Sequence, residues 1–280
     1  MKYILSLITI ITFLISTAFA MENESQKYQR CMSLAQNPEP QKQAEAVQYA
    51  EDWIFGGRAG FAGGVPAGHC KALALLGLGK PEAAAQLLEK LVEDLTIGAK
   101  SDGAKSDFRR QQKNDQLTLE LYIQAALAWK AAKDYDKSYL AYSSALSSIK
   151  QGSRLMTNRA LLHALYLERG TLQILRRQYK AAIEDITLAI EQDERDFAGF
   201  LQRAKAYRKR KQFLKARLDL RQAMILAPEH RDILLEQGIL YRASGNKSAA
   251  QLTWQKVLTL YPESEHADLA QENLDLLKVD

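Results

Sequence analysis

Two cysteines and four histidines are the side chains best suited to catalysis in this chain of 280 residues. His69 and Cys70 are adjacent, a pairing that suggests a thiol nucleophile with a histidine base, or part of a zinc site. Adjacent residues of a helix point about 100° apart, so these two side chains do not converge on one site. No Ser/His/Asp set, haem-attachment motif or further zinc ligand accompanies them. We therefore expect no catalytic residue, no metal and no cofactor, and catalysis by His69 and Cys70 is the weaker alternative.

Six glycines lie within residues 56–68, a density that suggests a phosphate-binding loop. No Gly-Lys-Ser/Thr follows them and no strand pattern precedes them, so that motif is absent. The segment is instead predicted to be a long loop between helices, with a partner-contacting or ligand-contacting loop as the alternative. The perfect tandem repeat Gly-Ala-Lys-Ser-Asp at residues 98–107 is typical of a solvated linker, which we place at residues 99–118.

The charge of the chain is mildly basic, with 38 Lys and Arg against 33 Asp and Glu. This mild excess does not by itself indicate a nucleic-acid partner, and we expect none. The cations of the chain are concentrated in a basic run that follows an acidic block at residues 184–196. They either pair with that block across a helix boundary or form the basic rim of a binding surface. The run comprises Arg203, Lys205, Arg208, Lys209, Arg210, Lys211, Lys215, Arg217 and Arg221.

Residues 1–20 have the pattern of a secretory signal peptide. Lys2 provides the charged start, an apolar stretch follows, and Ala18 and Ala20 provide the small residues of a cleavage site. The apolar stretch is short for a bilayer span, which needs about 20 residues. We expect cleavage after Ala20 and export, to the periplasm if the source is Gram-negative and otherwise to the outside. An uncleaved anchor and a cytosolic protein starting at Met21 are the alternatives.

The rest of the chain repeats with a period of 34 residues. Such a period indicates stacked helical hairpins. A small residue in each helix lets the two helices approach closely, and a large apolar residue one turn away fills the space beside it. Residues 34 apart include the sets Gly170, Ala204 and Gly238; Ala182, Ala216 and Ala250; and Ile186, Leu220 and Trp254.

These residues resemble the tetratricopeptide repeat (TPR) family. Residues 197–230 carry nearly the whole signature: Phe200, Ala204, Tyr207, Ala216, Leu220, Ala223 and Pro228. Related repeats occupy residues 119–152, 163–196 and 231–264, with a weaker one at 65–98 and a degenerate helical hairpin at 21–55. The resemblance implies an all-α, right-handed, TPR-like solenoid of about five repeats, and residues 265–280 are expected to form its C-terminal capping helix.

In this family the first helix of each repeat lines a concave groove. The resemblance therefore implies a non-enzymatic scaffold or adaptor that binds a protein or peptide partner there, with an acidic partner favoured by the basic run. An accessory factor in cell-envelope assembly, related to peptidoglycan or outer-membrane proteins, is the alternative. The implied groove residues are Ile123, Leu127, Lys130, Leu167, Thr171, Ile174, Leu201, Lys205, Arg208, Lys209, Leu235, Ile239 and Arg242.

The resemblance also bears on the two cysteines. Cys31 and Cys70 fall in the first helices of the first two hairpins, and neighbouring first helices pack side by side in such solenoids. In an oxidising compartment this arrangement favours a disulfide. Two buried free thiols, or a reactive or metal-bound pair, are the alternatives.

Overall fold

The computed structural model describes residues 23–56, 61–101, 108–149 and 154–279. Within these ranges the chain forms thirteen α-helices and one short 3-10 helix, and no strand. A membrane-crossing helix, which would have to be long and apolar, is absent from the described ranges. The predicted signal peptide at residues 1–20 lies outside them.

Contacts divide the chain into two compact units, Met1–Phe108 and Arg109–Asp280, which are described separately. The N-terminal unit contains two helical hairpins: α1 (Glu24–Ala35) with α2 (Pro40–Gly56), and α3 (Phe61–Gly77) with α4 (Pro81–Ser101).

The C-terminal unit contains four further hairpins and a final helix, and α5 begins at its boundary. Its helices are α5 (Phe108–Ala131), α6 (Tyr135–Ser148), the 3-10 helix (Arg154–Thr157), α7 (Arg159–Leu175), α8 (Tyr179–Gln192), α9 (Phe197–Lys209), α10 (Phe213–Leu226), α11 (Arg231–Ala243), α12 (Lys247–Leu260) and α13 (Glu265–Val279).

The predicted glycine-rich loop and the predicted linker both include residues that the structure shows as helix. Residues 61–68 belong to α3, so the prediction of a loop through residue 68 is wrong there, and residues 57–60 lie outside the described ranges. At Gly68 the absence of a side chain serves packing, because a Cβ there would lie 2.6 Å from Leu91 of α4. The predicted linker is likewise helical at residues 99–101 and 108–118, where Arg, Gln and Lys favour helix.

The repeat register is visible in how paired helices touch. A Cβ at Gly170 of α7 would lie 2.6 Å from Ile186 of α8. A Cβ at Gly238 of α11 would collide with the ring of Trp254 of α12. Each pair is formed by a predicted small residue and its predicted large partner, so the close approach expected from the sequence is confirmed.

Each hairpin turn of the C-terminal unit contains one residue with positive φ. Arg177, Lys211 and Gly245 occupy the same slot of successive repeats and have φ of 60°, 58° and 88°. Lys133 has φ of 62° at the turn between α5 and α6. This left-handed conformation ends the first helix and reverses the chain. Glycine adopts it readily, whereas the three basic residues do so at a conformational cost.

The last helix acts as the expected cap on α11 and α12. Ala270 is fully buried and Leu274 nearly so, in a cluster with Trp254 and Val257. Leu269, one residue before Ala270, is 37% exposed. One face of α13 therefore covers the end of the hairpin core, and Leu269 lies outside that face.

A disulfide joins Cys31 of α1 to Cys70 of α3, with their Cα atoms 6.0 Å apart. Both residues are completely buried, in a cluster with Ala46, Trp53 and Ala74. The bridge links the two first helices of the N-terminal unit. The disulfide predicted from the side-by-side packing of those helices is confirmed.

Candidate functional site

The first helices of the C-terminal unit lie side by side, and we call the surface formed by α5, α7, α9, α11 and α13 the first-helix face. Polar contacts join these helices. Lys130 of α5 donates to Glu168 of α7 over 2.7 Å, and His163 of α7 contacts Asp196, the N-cap of α9, over 2.9 Å. His266 of α13 contacts Asp232 of α11 over 2.7 Å.

The contact between α9 and α11 is a two-bond ion pair. Arg208 donates to both carboxylate oxygens of Glu236, over 2.5 Å and 3.1 Å. The Arg208 and Glu236 side chains are only 14% and 4% exposed. The prediction that Arg208 is a basic groove residue available to a partner is therefore wrong, because the buried carboxylate of Glu236 on α11 neutralises it.

The same pairing occurs at equivalent slots between α5 and α7. Lys130 and Arg208 occupy the same position of their repeats, and so do their partners Glu168 and Glu236. The Lys130–Glu168 pair is more exposed, with side chains 35% and 39% accessible. Two of the predicted groove cations thus hold neighbouring first helices together.

The predicted apolar groove residues divide into buried and accessible ones. Leu201 is 3% exposed and packs with Ile233 and Leu240 of α11, so its assignment to an accessible groove floor is wrong. Leu127 is 47% exposed. Ile123, Leu167, Ile174, Leu235 and Ile239 are half-buried.

One apolar residue of this face was not predicted. Leu175, the last residue of α7, is 48% exposed and lies about 40° around the helix from Thr171. Thr171 itself donates its hydroxyl to the Leu167 carbonyl over 2.8 Å. The signal was available in the sequence, because Leu175 follows Ile174 directly at the end of the same amphipathic helix.

The remaining predicted cations lie at the C-terminal part of the face. Lys209 is exposed, and Lys205 and Arg242 are half-buried. Burial acts to raise the pKa of Asp232. The hydrogen bond from His266 and the nearby charges of His266, His230 and Lys205 outweigh it and lower that pKa overall. The face therefore carries carboxylates among its cations and is not uniformly basic.

A repeated polar network inside the hairpins was also not predicted. Arg169 binds both oxygens of Asp185 over 2.6 Å and 2.7 Å. In the next repeat, at the same two slots, Arg203 binds both oxygens of Asp219 over 2.8 Å and 2.9 Å. The sequence does contain evidence for this network, because Arg169 and Arg203, and Asp185 and Asp219, are each 34 residues apart.

These pairs also correct one interpretation of the charge cluster. Arg203 and Arg208 were candidates for pairing with the acidic block at residues 184–196. They pair instead with Asp219 and Glu236, downstream of the block, while Asp185 of the block pairs with Arg169. Asp185 and Asp219 each form an ion pair within their own hairpin, and Glu236 forms one with the neighbouring first helix.

His69 and Cys70 do not form a catalytic pair. The sulfur of Cys70 is bonded to Cys31, and the residue is completely buried. His69 Nδ1 lies 2.8 Å from the hydroxyl of Tyr28. The proposed thiol nucleophile is thus not available, and the described residues contain no cluster of three or more His, Cys, Asp or Glu able to hold a metal.

The chain is similar in structure to several solved repeat proteins. It matches PilF of Pseudomonas aeruginosa with a TM-score of 0.55 and 12% identity, over 89% of this chain and 99% of that one. It matches MamA from Desulfovibrio magneticus RS-1 with a TM-score of 0.54 and 17% identity, over 72% and 97% of the two chains. It matches YrrB, described as a TPR protein with an unusual peptide-binding site, with a TM-score of 0.52 and 16% identity, over 81% and 99%.

Sequence comparison gives no such match, since no protein-family model and no curated protein sequence matches the chain. The structural likeness, together with the repeat register and consecutive helix pairing, nevertheless defines the architecture. This chain has the tetratricopeptide-repeat fold.

Proposed function

We propose that this protein is a non-enzymatic, exported scaffold that binds a peptide segment of another protein on its first-helix face. The observation that carries the proposal is the row of first helices, fixed by paired side chains between neighbours, which leaves Leu127 and Leu175 each about half exposed. Apolar side chains on a prearranged surface bind a peptide with little ordering cost to the protein. YrrB, which shares the fold, is described as having a peptide-binding site.

The chemistry of the face defines the peptide it suits. Lys130 and Arg208 are already paired with carboxylates, so most of the binding free energy is expected from apolar contacts. Acidic groups on the partner would meet Lys205 and Lys209 near the end of α9. We therefore expect a peptide with apolar side chains and an acidic group at one end.

Position-specific photocrosslinking tests the proposal. A photoreactive residue at Thr171 of α7 should capture a partner from an extract of the source organism, and the same residue at Glu184 of α8 should not. Glu184 is the matched control because it is exposed on the second helix of the same hairpin. Equal capture from both positions, or capture only from Glu184, would refute the assignment of the face.

The charge preference has its own test on the captured segment. Lys205→Glu with Lys209→Glu should slow association, and its effect should fade as salt is raised, because exposed charges act mainly on encounter. Lys215→Glu with Arg217→Glu on α10 makes the same charge change away from the face. If the two double variants weaken binding equally, the preference for an acidic partner arises from the overall charge of the protein and not from the first-helix face.

Export is the second half of the proposal. The signal-like residues 1–20 and the buried Cys31–Cys70 disulfide both suit an oxidising compartment outside the cytoplasm. The same two features favour a role in cell-envelope assembly as the second candidate, since envelope factors work in that compartment. N-terminal sequencing of the exported protein should begin at Met21, and retention of Met1 in the cytoplasm would refute export.

A further inference from the structure

The outward side of α10 carries an apolar ridge that the fold does not use. Leu214, Leu218 and Ile225 are 62%, 54% and 64% exposed. At 3.6 residues per turn their side chains lie within about 40° of one another around the helix, over about 16 Å of its length. We call these three residues the α10 ridge. The opposite side of the helix, with Ala216, Leu220 and Ala223, packs into the hairpin core.

Basic residues flank the ridge on both sides. Arg217 and Arg221 lie on one side and Lys215 on the other, and all three are exposed. The only acidic residue of α10 is Asp219, which is turned inward and paired with Arg203. The exposed side of α10 therefore presents apolar residues and cations without a carboxylate.

The next second helix has a similar composition. Leu252 of α12 occupies the slot of Leu218 in the following repeat and is 68% exposed. The α12 sequence contains no acidic residue, and its Lys247 and Lys256 are exposed, with Lys256 in an ion pair with Glu229. The combination of outward leucines with cations thus recurs in successive hairpins of the C-terminal unit.

From this arrangement we infer that the α10 ridge docks on an anionic phospholipid bilayer. Leucines flanked by Lys and Arg are the pattern of helices that lie in a membrane interface. The cations are attracted to anionic headgroups, and their long stems let the leucines reach the acyl region. Acyl chains adapt to a protruding ridge, whereas a protein partner needs a matching groove. This surface lies on second helices and does not depend on the peptide site.

A local fluorescence measurement tests the inference in the full chain. Gln222→Cys, beside the ridge, is labelled with an environment-sensitive dye, and the native cysteines stay protected in their disulfide. Vesicles of phosphatidylcholine mixed with phosphatidylglycerol should shift the dye emission to the blue, and vesicles of phosphatidylcholine alone should not. The dye reports on contact at α10, and the vesicles of phosphatidylcholine alone control for insertion of the apolar residues 1–20. A dye at Glu272→Cys, exposed on α13, should show no shift.

Two sets of variants separate the apolar and electrostatic contributions. Leu214→Ser with Ile225→Ser should weaken the vesicle affinity of the labelled protein about tenfold or more, while Leu269→Ser with Leu276→Ser should change it by less than about twofold. Substituting Lys215, Arg217 and Arg221 by Gln should also weaken it at least about tenfold, since each basic residue near an anionic surface contributes about fivefold. Raising the salt concentration should reproduce this second loss.

Three results would overturn the inference. The first is no emission shift with either kind of vesicle. The second is an equal shift with both kinds and no salt dependence, which would exclude recognition of anionic lipid. The third is a shift that grows with protein concentration in the absence of vesicles, which would show that protein covers the ridge.

Discussion

Glycine at fixed slots sets the distance between paired helices, and Gly238 is the most demanding example. A Cβ at this position would collide with the indole ring of Trp254, which is fully buried. Gly238→Ala should therefore lower the free energy of unfolding by about 1–3 kcal/mol, as overpacking does. Urea unfolding followed by circular dichroism measures this change. Ser248→Ala, on the exposed start of α12, is the control, and an equal loss in both variants would mean that the contact does not limit packing.

Basic residues with positive φ are positions where a substitution by glycine is expected to stabilise the protein. Lys211 has φ of 58° in the turn between α9 and α10, where its repeat neighbour Gly245 has φ of 88°. Lys211→Gly should raise the free energy of unfolding by about 1 kcal/mol, because glycine adopts this conformation without steric cost. Arg210→Gly, one residue earlier with φ of −87°, should give no gain. Stabilisation by Arg210→Gly as well would point to loss of charge repulsion in the basic turn.

At the scale of single helices and hairpins, the disulfide should act on the N-terminal unit. The bridge closes a loop across 39 residues of sequence separation, which corresponds to about 4 kcal/mol in the chain-entropy model. Cys31→Ser with Cys70→Ser should lower the hydrogen-exchange protection of α1 to α4 and leave α9 to α12 protected.

Titration of the denatured, unreduced wild type should find close to zero free thiols, and two free thiols would contradict the bridge.

The docking of the cap α13 should weaken in acid. The contact with His266 and the nearby positive charges lower the pKa of Asp232 below its usual value, against the effect of burial. Its contribution to stability is fully present above about pH 4 and is lost as the pH falls through the lowered value. The loss should stay below about 1 kcal/mol because the pair is partly exposed. Unfolding measured across the acidic range should show this extra acid sensitivity in wild type and not in Asp232→Asn.

Helix pairing was predictable from the sequence because it depends on residues close together in the chain. Gly170 with Ile186, and Gly238 with Trp254, are contacts between the two helices of one hairpin. These contacts fix how the two helices align, and the alignment does not depend on neighbouring repeats. Accessibility of the first-helix face was not predictable in the same way. Leu201 is buried in a cluster that includes Ile233 and Leu240 of the following repeat, and contacts between repeats are not encoded by a local pattern.

The charges show the same distinction. The family resemblance placed Arg208 in the groove, and only the packed structure shows that it pairs with Glu236 of the neighbouring first helix. Arg203 and Asp219 pair within one hairpin, and their recurrence after Arg169 and Asp185 was readable in advance. Ion pairs within a hairpin can thus be inferred from the 34-residue period. Ion pairs between hairpins can be identified only from the packed structure.

At the scale of the molecule, separate surfaces of the C-terminal unit have separate proposed roles. The first-helix face presents Leu127 and Leu175 for a peptide, and its paired charges keep the helices in register. The α10 ridge lies on a second helix and is flanked by Lys215, Arg217 and Arg221, which are exposed and form no ion pair among the described residues. A partner peptide and a lipid surface would therefore be bound by different side chains, and variants of one surface should leave the other active.

The affinity of the photocaptured peptide segment for two matched variants is the decisive test of the first-helix face. Leu127→Ser with Leu175→Ser removes exposed leucines from that face, and Leu140→Ser with Leu188→Ser removes exposed leucines from second helices. Calorimetric titration should show about tenfold or greater loss of affinity for the first pair and less than about twofold for the second. The two variants should lose similar, small amounts of thermal stability, because the leucines of both pairs are partly exposed. Equal affinities for the two variants, or a greater loss in the second, would contradict a peptide-binding role for this face.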